Sequence, residues 1–275
     1  MPDWPLYDTT TYETAGANTA ASRGTSITAN ASGNTKGSYT QLIASTSYDT
    51  VGVLVMLDDL AAGIDYLLDI AIGAGGSEQI ILPDLYAGGG TGSIAYGAQY
   101  WFPIAIPAGS RIAARCQAST GSSVIRVSCL LAAAGFMPPA PLSRVTAYGA
   151  NSADSGGVSV DPGGSANTKG SYSQIVASTT NDIKGLIIAI GNQLNNVRSS
   201  QSWLIDLAIG GAGSEQIVIA NYALNCSTSP DIVVPQTSDF LPLCIPAGTR
   251  LAVRAQSDGT DATDRLFDAF VYGCD

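Results

Sequence analysis

The sequence predicts an all-β protein built from two tandem antiparallel β-sandwich domains, jelly-roll-like, that arose by internal duplication. Three observations predict it. The chain writes most of its motifs twice, its apolar positions recur with period two, and clusters of Gly, Pro, Asn and Asp separate short apolar runs with no helical stretch between them. The repetition is direct. IPAGSRIAARCQAS from Ile106 returns as IPAGTRLAVRAQSD from Ile245, NTKGSYTQLIAST from Asn34 as NTKGSYSQIVAST from Asn167, and LLDIAIGAGGSEQI from Leu67 as LIDLAIGGAGSEQI from Leu204. Each copy spans about 120–135 residues, the size of a domain and far longer than a solenoid unit. The insertions between copies fall in Gly- and Asn-rich segments, where loops tolerate them.

Taken in order, residues 1–23 form an N-terminal arm rich in Thr, Ala, Asp and Tyr, with Trp4 between Pro2 and Pro5, suited to ordering on a neighbouring subunit. Residues 24–134 form the first sandwich. Its candidate strands are 25–30, 39–46, 51–58, 66–73, 78–83, 98–106, 110–118 and 124–132. From Arg111, Ile112, Ala114 and Cys116 alternate with Arg111, Ala113 and Arg115, the mark of a half-buried strand, and Leu251 onward repeats it. Val51–Leu57 and Gly185–Ile190 are continuously apolar. In IPAG, proline fixes the second turn position and glycine takes the positive φ, so the motif is a corner of the sandwich. Residues 135–148 form a linker in which Pro138, Pro139 and Pro141 exclude a helix and favour a stiff, extended connection. Residues 149–275 form the second sandwich. Eight strands at this spacing favour a jelly roll, with an immunoglobulin-like order as the alternative.

Composition excludes several functions. The 12 basic residues against 22 acidic ones, a net charge of −10, give no surface for nucleic acid. No apolar run could span a bilayer, and the amino terminus carries no signal-peptide pattern, so we expect synthesis as a soluble chain in a cytoplasm, with no membrane partner. There is no histidine, which removes Ser-His-Asp and Cys-His catalysis and most transition-metal sites. The five cysteines, Cys116, Cys129, Cys226, Cys244 and Cys274, have no CxxC spacing and read as free, mostly buried thiols. The glycine runs IGAGGSEQ and IGGAGSEQ lack nucleotide-binding spacing and read as strand-to-strand loops. The acids of Asp258–Asp268 read as a solvated hairpin tip before a calcium loop, since EF-hand spacing is absent. No catalytic, cofactor-binding or metal site is expected.

The few charges are placed alike in both copies: Lys36/Lys169, Arg111/Arg250, Arg115/Arg254 and Arg126/Arg265, with Asp49/Asp182, Asp69/Asp206 and Glu78/Glu215. Asp69 stands inside the apolar LLDIAIG, where an unpaired carboxylate is costly to desolvate. We therefore expect Asp69 to pair with Arg115 or Arg126, and Asp206 with Arg254 or Arg265, as polar struts of the fold. Trp101 and Trp203, with Tyr86, Tyr96, Tyr100 and Tyr222, are either a platform for stacking sugars or sandwich aromatics with one polar handle.

With NTKGSY, DIAIGAGGSEQI and FPIAIPAGSRIAAR in hand, the chain resembles virion structural proteins of tailed bacteriophages and related gene-transfer particles, of head decoration, spike or tail-fibre type. The resemblance is one of style across both copies and brings no catalytic motif. It implies a non-enzymatic building block of a virion, assembled in the bacterial host cytoplasm, whose partners are other virion proteins and itself, a trimer presenting six similar domains. The alternative is a carbohydrate-binding or host-adhesion module, on the same particle or alone, taking a host surface glycan in the loops at one end of each sandwich.

Overall fold

The computed structural model describes residues 12–21, 23–58, 63–89, 99–133, 142–192, 202–225, 236–258 and 266–275. Every regular element among them is a strand, and no helix is long and apolar enough to cross a membrane.

The first copy contributes β1 (Tyr12–Ala15), β2 (Ala17–Asn18), β3 (Arg23–Thr28), β4 (Thr40–Ile43), β5 (Thr50–Asp58), β6 (Ile64–Ile72), β7 (Gln79–Gly89), β8 (Gln99–Phe102), β9 (Ile112–Ala118) and β10 (Val124–Ala133). One sheet has the order β3-β10-β5-β8, extended by β2 beside β3 and by β1 beside β10; the other has the order β4-β9-β6-β7. All these pairings are antiparallel. From β3 to β10 the chain changes sheet at every connection except the β6–β7 hairpin, and two sheets in this strand order are a jelly roll.

The second copy repeats it with β11 (Val145–Tyr148), β12 (Val158–Val160), β13 (Ser173–Val176), β14 (Ile183–Asn192), β15 (Ser202–Ile209), β16 (Gln216–Asn225), β17 (Gln236–Thr237), β18 (Leu241–Ile245), β19 (Leu251–Ser257) and β20 (Phe267–Cys274). Here β12 and β11 flank β20, β20 pairs with β14, and β14 pairs with β17 and β18; the facing sheet runs β13-β19-β15-β16.

Two segments differ from the sequence expectation. Within residues 1–23, Tyr12–Ala15 pairs with β10 and Ala17–Asn18 with β3. Within residues 135–148, Val145–Tyr148 pairs with β20. These two outer strands occupy the same place in each copy. Both precede a positive-φ glycine, Gly16 or Gly149, a conformation that costs glycine little and lets the chain leave the edge. The prolines of the linker, and Trp4, lie outside the described residues.

The IPAG corner is held from outside. Thr46 Oγ1 donates to the Pro107 carbonyl, Gly109 N–H to the Thr46 carbonyl, and Ala108 N–H to Asp49. Thr179, Gly248 and Asp182 repeat this set. The turn closes from Ser110 N–H to the Pro107 carbonyl, so proline is its first position and Gly109, at φ 81°, its third. The expected second-position proline is thus shifted by one residue, because the Ile106 backbone still pairs with Thr50.

Parity sorts the side chains. On β10, Ile125, Val127, Cys129 and Leu131 are fully buried between the sheets. The second core centres on Trp203, 1% exposed, with Phe267 at 6.3 Å edge-on. Truncation there leaves a cavity the facing sheet cannot close. Trp203→Ala is expected to cost about 3–5 kcal/mol in chemical denaturation, whereas Tyr48→Ala, at a surface position, should stay within about 0.5 kcal/mol.

Candidate functional site

The outer face of the β4-β9-β6-β7 sheet carries a polar cluster that the second copy repeats. Asp69 points out of β6 and is 2% exposed. Its carboxylate accepts from Arg115 Nε at 2.9 Å, Lys36 Nζ at 2.8 Å and the Asp84 N–H at 3.0 Å. Lys36 also reaches the Leu67 carbonyl and Asp84. In the second copy Asp206 accepts from Arg254 Nε at 3.0 Å, Lys169 Nζ at 2.7 Å and Asn221 N–H at 2.9 Å. Each arginine lies over a tyrosine ring, Arg115 on Tyr39 at 4.6 Å and Arg254 on Tyr172 at 4.7 Å. This explains the twice-written NTKGSY: its lysine neutralises the buried acid and its tyrosine covers the guanidinium. Burial alone would raise the Asp206 carboxyl, but Lys169, Asn221 N–H and Arg254 outweigh it and hold the group below the usual carboxylate range. Arg111 is committed in the same way to Glu78 and the Gly73 carbonyl, and Arg250 to Glu215 and Gly210.

Of the other expected partners, Arg126 stands on β10, opposite Ser26 and Asp58 in register, in the sheet facing away from Asp69. The chain from Arg115 to Arg126 crosses from β9 in one sheet to β10 in the other, so only Arg115 faces Asp69. Register also places Asp268, not Arg265, at the position of Arg126, since Gly191 is opposite Asp268 as Asp58 is opposite Arg126. Arg265 itself lies outside the described residues, as do Tyr96 and Cys226.

Among the described residues, the aromatics expected as a platform are largely covered. Trp203 is core. Trp101 is half-buried and covers Gly52, where an added Cβ would stand 2.4 Å from its ring. Tyr86 and Tyr100 are fully buried, in a seam where the second domain closes the open side of the first.

That seam is formed by the outward face of β14 and β20. Phe270 stacks on Tyr86 with centroids 4.6 Å apart, and Tyr272 stands edge-on to Tyr100 and Phe102 at 5.5 and 6.0 Å. The Tyr272 hydroxyl donates to the Asp84 carbonyl at 2.8 Å and accepts from the Tyr86 N–H at 2.9 Å. Gly191 is needed for this approach, because a Cβ there would lie 1.9 Å from the Tyr86 ring. A polar margin adds Gln117 Nε2 to the Ser152 carbonyl and Ser155 Oγ, and Ser155 Oγ to Asn34.

One carboxylate in the seam is unusual. Asp65 is 4% exposed and accepts the Tyr86 hydroxyl at 3.0 Å. Burial pushes it up to about 8, helped by Asp268 and Asp154, while the Tyr86 hydrogen bond opposes the rise. Asp268 is buried too and accepts the Gly157 N–H, so it is a seam residue and not part of a solvated hairpin tip. Among the described residues no group of three or more His, Cys, Asp or Glu could hold a metal ion. Cys116, Cys129 and Cys274 are buried thiols pushed up to about 12 by burial, and Cys244 is exposed.

Two outcomes follow from this geometry. Asp69→Ala or Asp206→Ala leaves two cations against an apolar strand and is expected to cost about 2–3 kcal/mol, less than the loss for a fully enclosed pair because both cations can turn to water. Chemical denaturation of the single variants measures it. Asp65 carries its proton in the folded chain between about 4 and 8 and loses it on unfolding, so its contribution is full at low pH and disappears as pH rises through 8. Stability should therefore fall across that window, by at most about 1.4 kcal/mol per pH unit from this group, and Asp65→Asn should flatten the slope in thermal melts.

The chain matches no known family model and no curated protein. Among solved structures it is similar to the tandem CBM22-1–CBM22-2 domain of Paenibacillus barcinonensis Xyn10C, at 12% identity over 86% of this chain and 82% of that one, with a TM-score of 0.27. It is similar to PNGF-II at 10% identity, over 95% of this chain and 65% of that one, TM-score 0.36. It is also similar to a chain of broad bean stain virus at 8% identity, over 98% and 91%, TM-score 0.35. At these scores the likenesses carry no inference about this chain.

Proposed function

We propose that the chain is a non-enzymatic structural component of a phage-like virion, of the head decoration, spike or tail-fibre kind, acting through contacts with itself and with other virion proteins. One observation carries this reading: the charges kept in both copies are spent inside the fold. Asp69, Lys36, Arg115, Glu78 and Arg111 bind one another or backbone groups, as do their counterparts in the second copy. Duplication has thus preserved a scaffold, not a ligand site. The resemblance of the repeated motifs to virion structural proteins supports the same reading. A weakly charged surface, with 12% charged residues overall, lowers the cost of covering it with neighbours. A glycan-binding role on the same particle requires an open aromatic face; Trp203 offers none and Trp101 only part of one.

Native mass spectrometry of the purified chain tests the proposal. Closed oligomers, or stoichiometric addition to particles lacking the chain, are expected. A monomer that adds to no particle and binds glycans in an array would replace this reading with the adhesive one.

A further inference from the structure

The two copies share a fold but not their surroundings. In the second domain the outward face of β14 and β20 is covered: Ile187, Phe270 and Tyr272 are at most 1% exposed, against the first domain. The corresponding face of the first domain follows from register. Gly52 is opposite Ala132 as Gly185 is opposite Cys274, so Leu54 and Leu130 correspond to Ile187 and Tyr272, and Met56 and Ser128 to Ala189 and Phe270. Trp101 lies on Gly52 as Phe240 lies on Gly185. Leu54, Met56, Trp101 and Leu130 are only half-buried, and the face continues to Tyr12, opposite Ala132 and 51% exposed.

The receiving edge shows the same asymmetry. Asp84 and Asn221 correspond, each with positive φ and each giving its N–H to the strut carboxylate. Leu85 and Tyr86 therefore correspond to Tyr222 and Ala223. Leu85 and Tyr86 are both fully buried, Tyr86 against Phe270 and Tyr272 of the second domain; Tyr222 is half-buried and Ala223 exposed. Both β7 and β16 are edge strands of their sheets. Among the described residues each chain thus has one covered face on one covered edge, and one open copy of each.

We propose that the open first-domain face, Leu54, Met56, Trp101 and Leu130, docks on the open β16 edge, Asn221, Tyr222 and Ala223, of a second copy of this chain. The contact repeats between chains the one that joins the two domains within a chain, and it rests on reading the chain as an assembling building block. The occupant is set by this precedent: the same kind of sheet face already sits on the same kind of edge. A face on one domain and an edge on the other make a head-to-tail contact, which closes into a ring when the rotation allows. Leu130 has no hydroxyl to replace that of Tyr272, whose two backbone hydrogen bonds hold the intrachain seam. The interchain contact is therefore the weaker one, and assembly depends on concentration.

Sedimentation velocity on the full chain, over a range of concentrations, tests this with Leu130→Glu, which blocks the face, and Ala223→Glu, which blocks the edge. The wild type should form closed oligomers, and each variant alone should remain a monomer. An equimolar mixture of the two should give a one-to-one dimer and nothing larger, because one intact edge meets one intact face. Met56→Lys with Ala223→Lys gives the same pattern should a Leu130 variant fail to fold. Wild-type assembly that survives in both variants overturns this contact while leaving the building-block reading intact. A variant that dimerises alone shows a two-fold contact and overturns it as well, as does a monomeric mixture when the wild type assembles. A wild type monomeric at every concentration overturns both the contact and assembly of the free chain.

Discussion

Tyr86 lies with its ring against Phe270, its N–H on the Tyr272 hydroxyl, its own hydroxyl on Asp65 and its carbonyl on the Tyr100 hydroxyl. A jelly roll has one side where its two sheets end without meeting, and in the first domain that side is walled by Tyr86, Tyr100 and Phe102. These large rings need apolar cover, while the Tyr86 and Tyr100 hydroxyls find acceptors in the first domain itself. The second domain supplies the cover from β14 and β20, and Tyr272 takes the Tyr86 N–H. The inward residues of β20, Phe267, Ala269 and Val271, complete the core of its own domain, and its outward residues Phe270 and Tyr272 complete the core of the first. The two domains are in this sense one body with two sandwiches.

The duplication has kept some features and changed others, and the division is physical. The Lys-Asp-Arg strut with its tyrosine cover, the IPAG corner and the glycine-rich hairpin tips recur in both copies, and each is internal to one sandwich. The seam has diverged. Phe270 and Tyr272 replace Ser128 and Leu130, Asp268 replaces Arg126, and Gly191 replaces Asp58, since only the second copy lays this face on the other domain of its own chain. Asp65 and Asp268 bring carboxyl groups to a dry interface, which ties the strength of the seam to the protonation of Asp65.

Much of this was legible in the residues. Period-two alternation and turn chemistry placed the strands, and a lone Asp inside LLDIAIG had to have a cation. Lys36 was harder to find, because it reaches Asp69 from the loop before β4, and spacing along the chain does not report such a reach. Arg126 stays a candidate partner on sequence alone, because a Gly-Ser turn between two strands looks the same whether the strands pair or arch across the sandwich. The seam did leave a signal: FDAFVYGC is apolar at both parities where VIRVSCLL alternates, and a strand apolar on both faces is covered on both. What the pattern does not say is which surface covers it, since that depends on the open side of another domain.

Differential scanning calorimetry of the dilute monomeric chain tests directly whether the seam makes the two sandwiches one cooperative unit. The structure predicts a single transition whose calorimetric enthalpy equals the van't Hoff value. Two resolved transitions, each with the enthalpy of a domain of about half the chain, would show that the sandwiches unfold independently and would contradict the account.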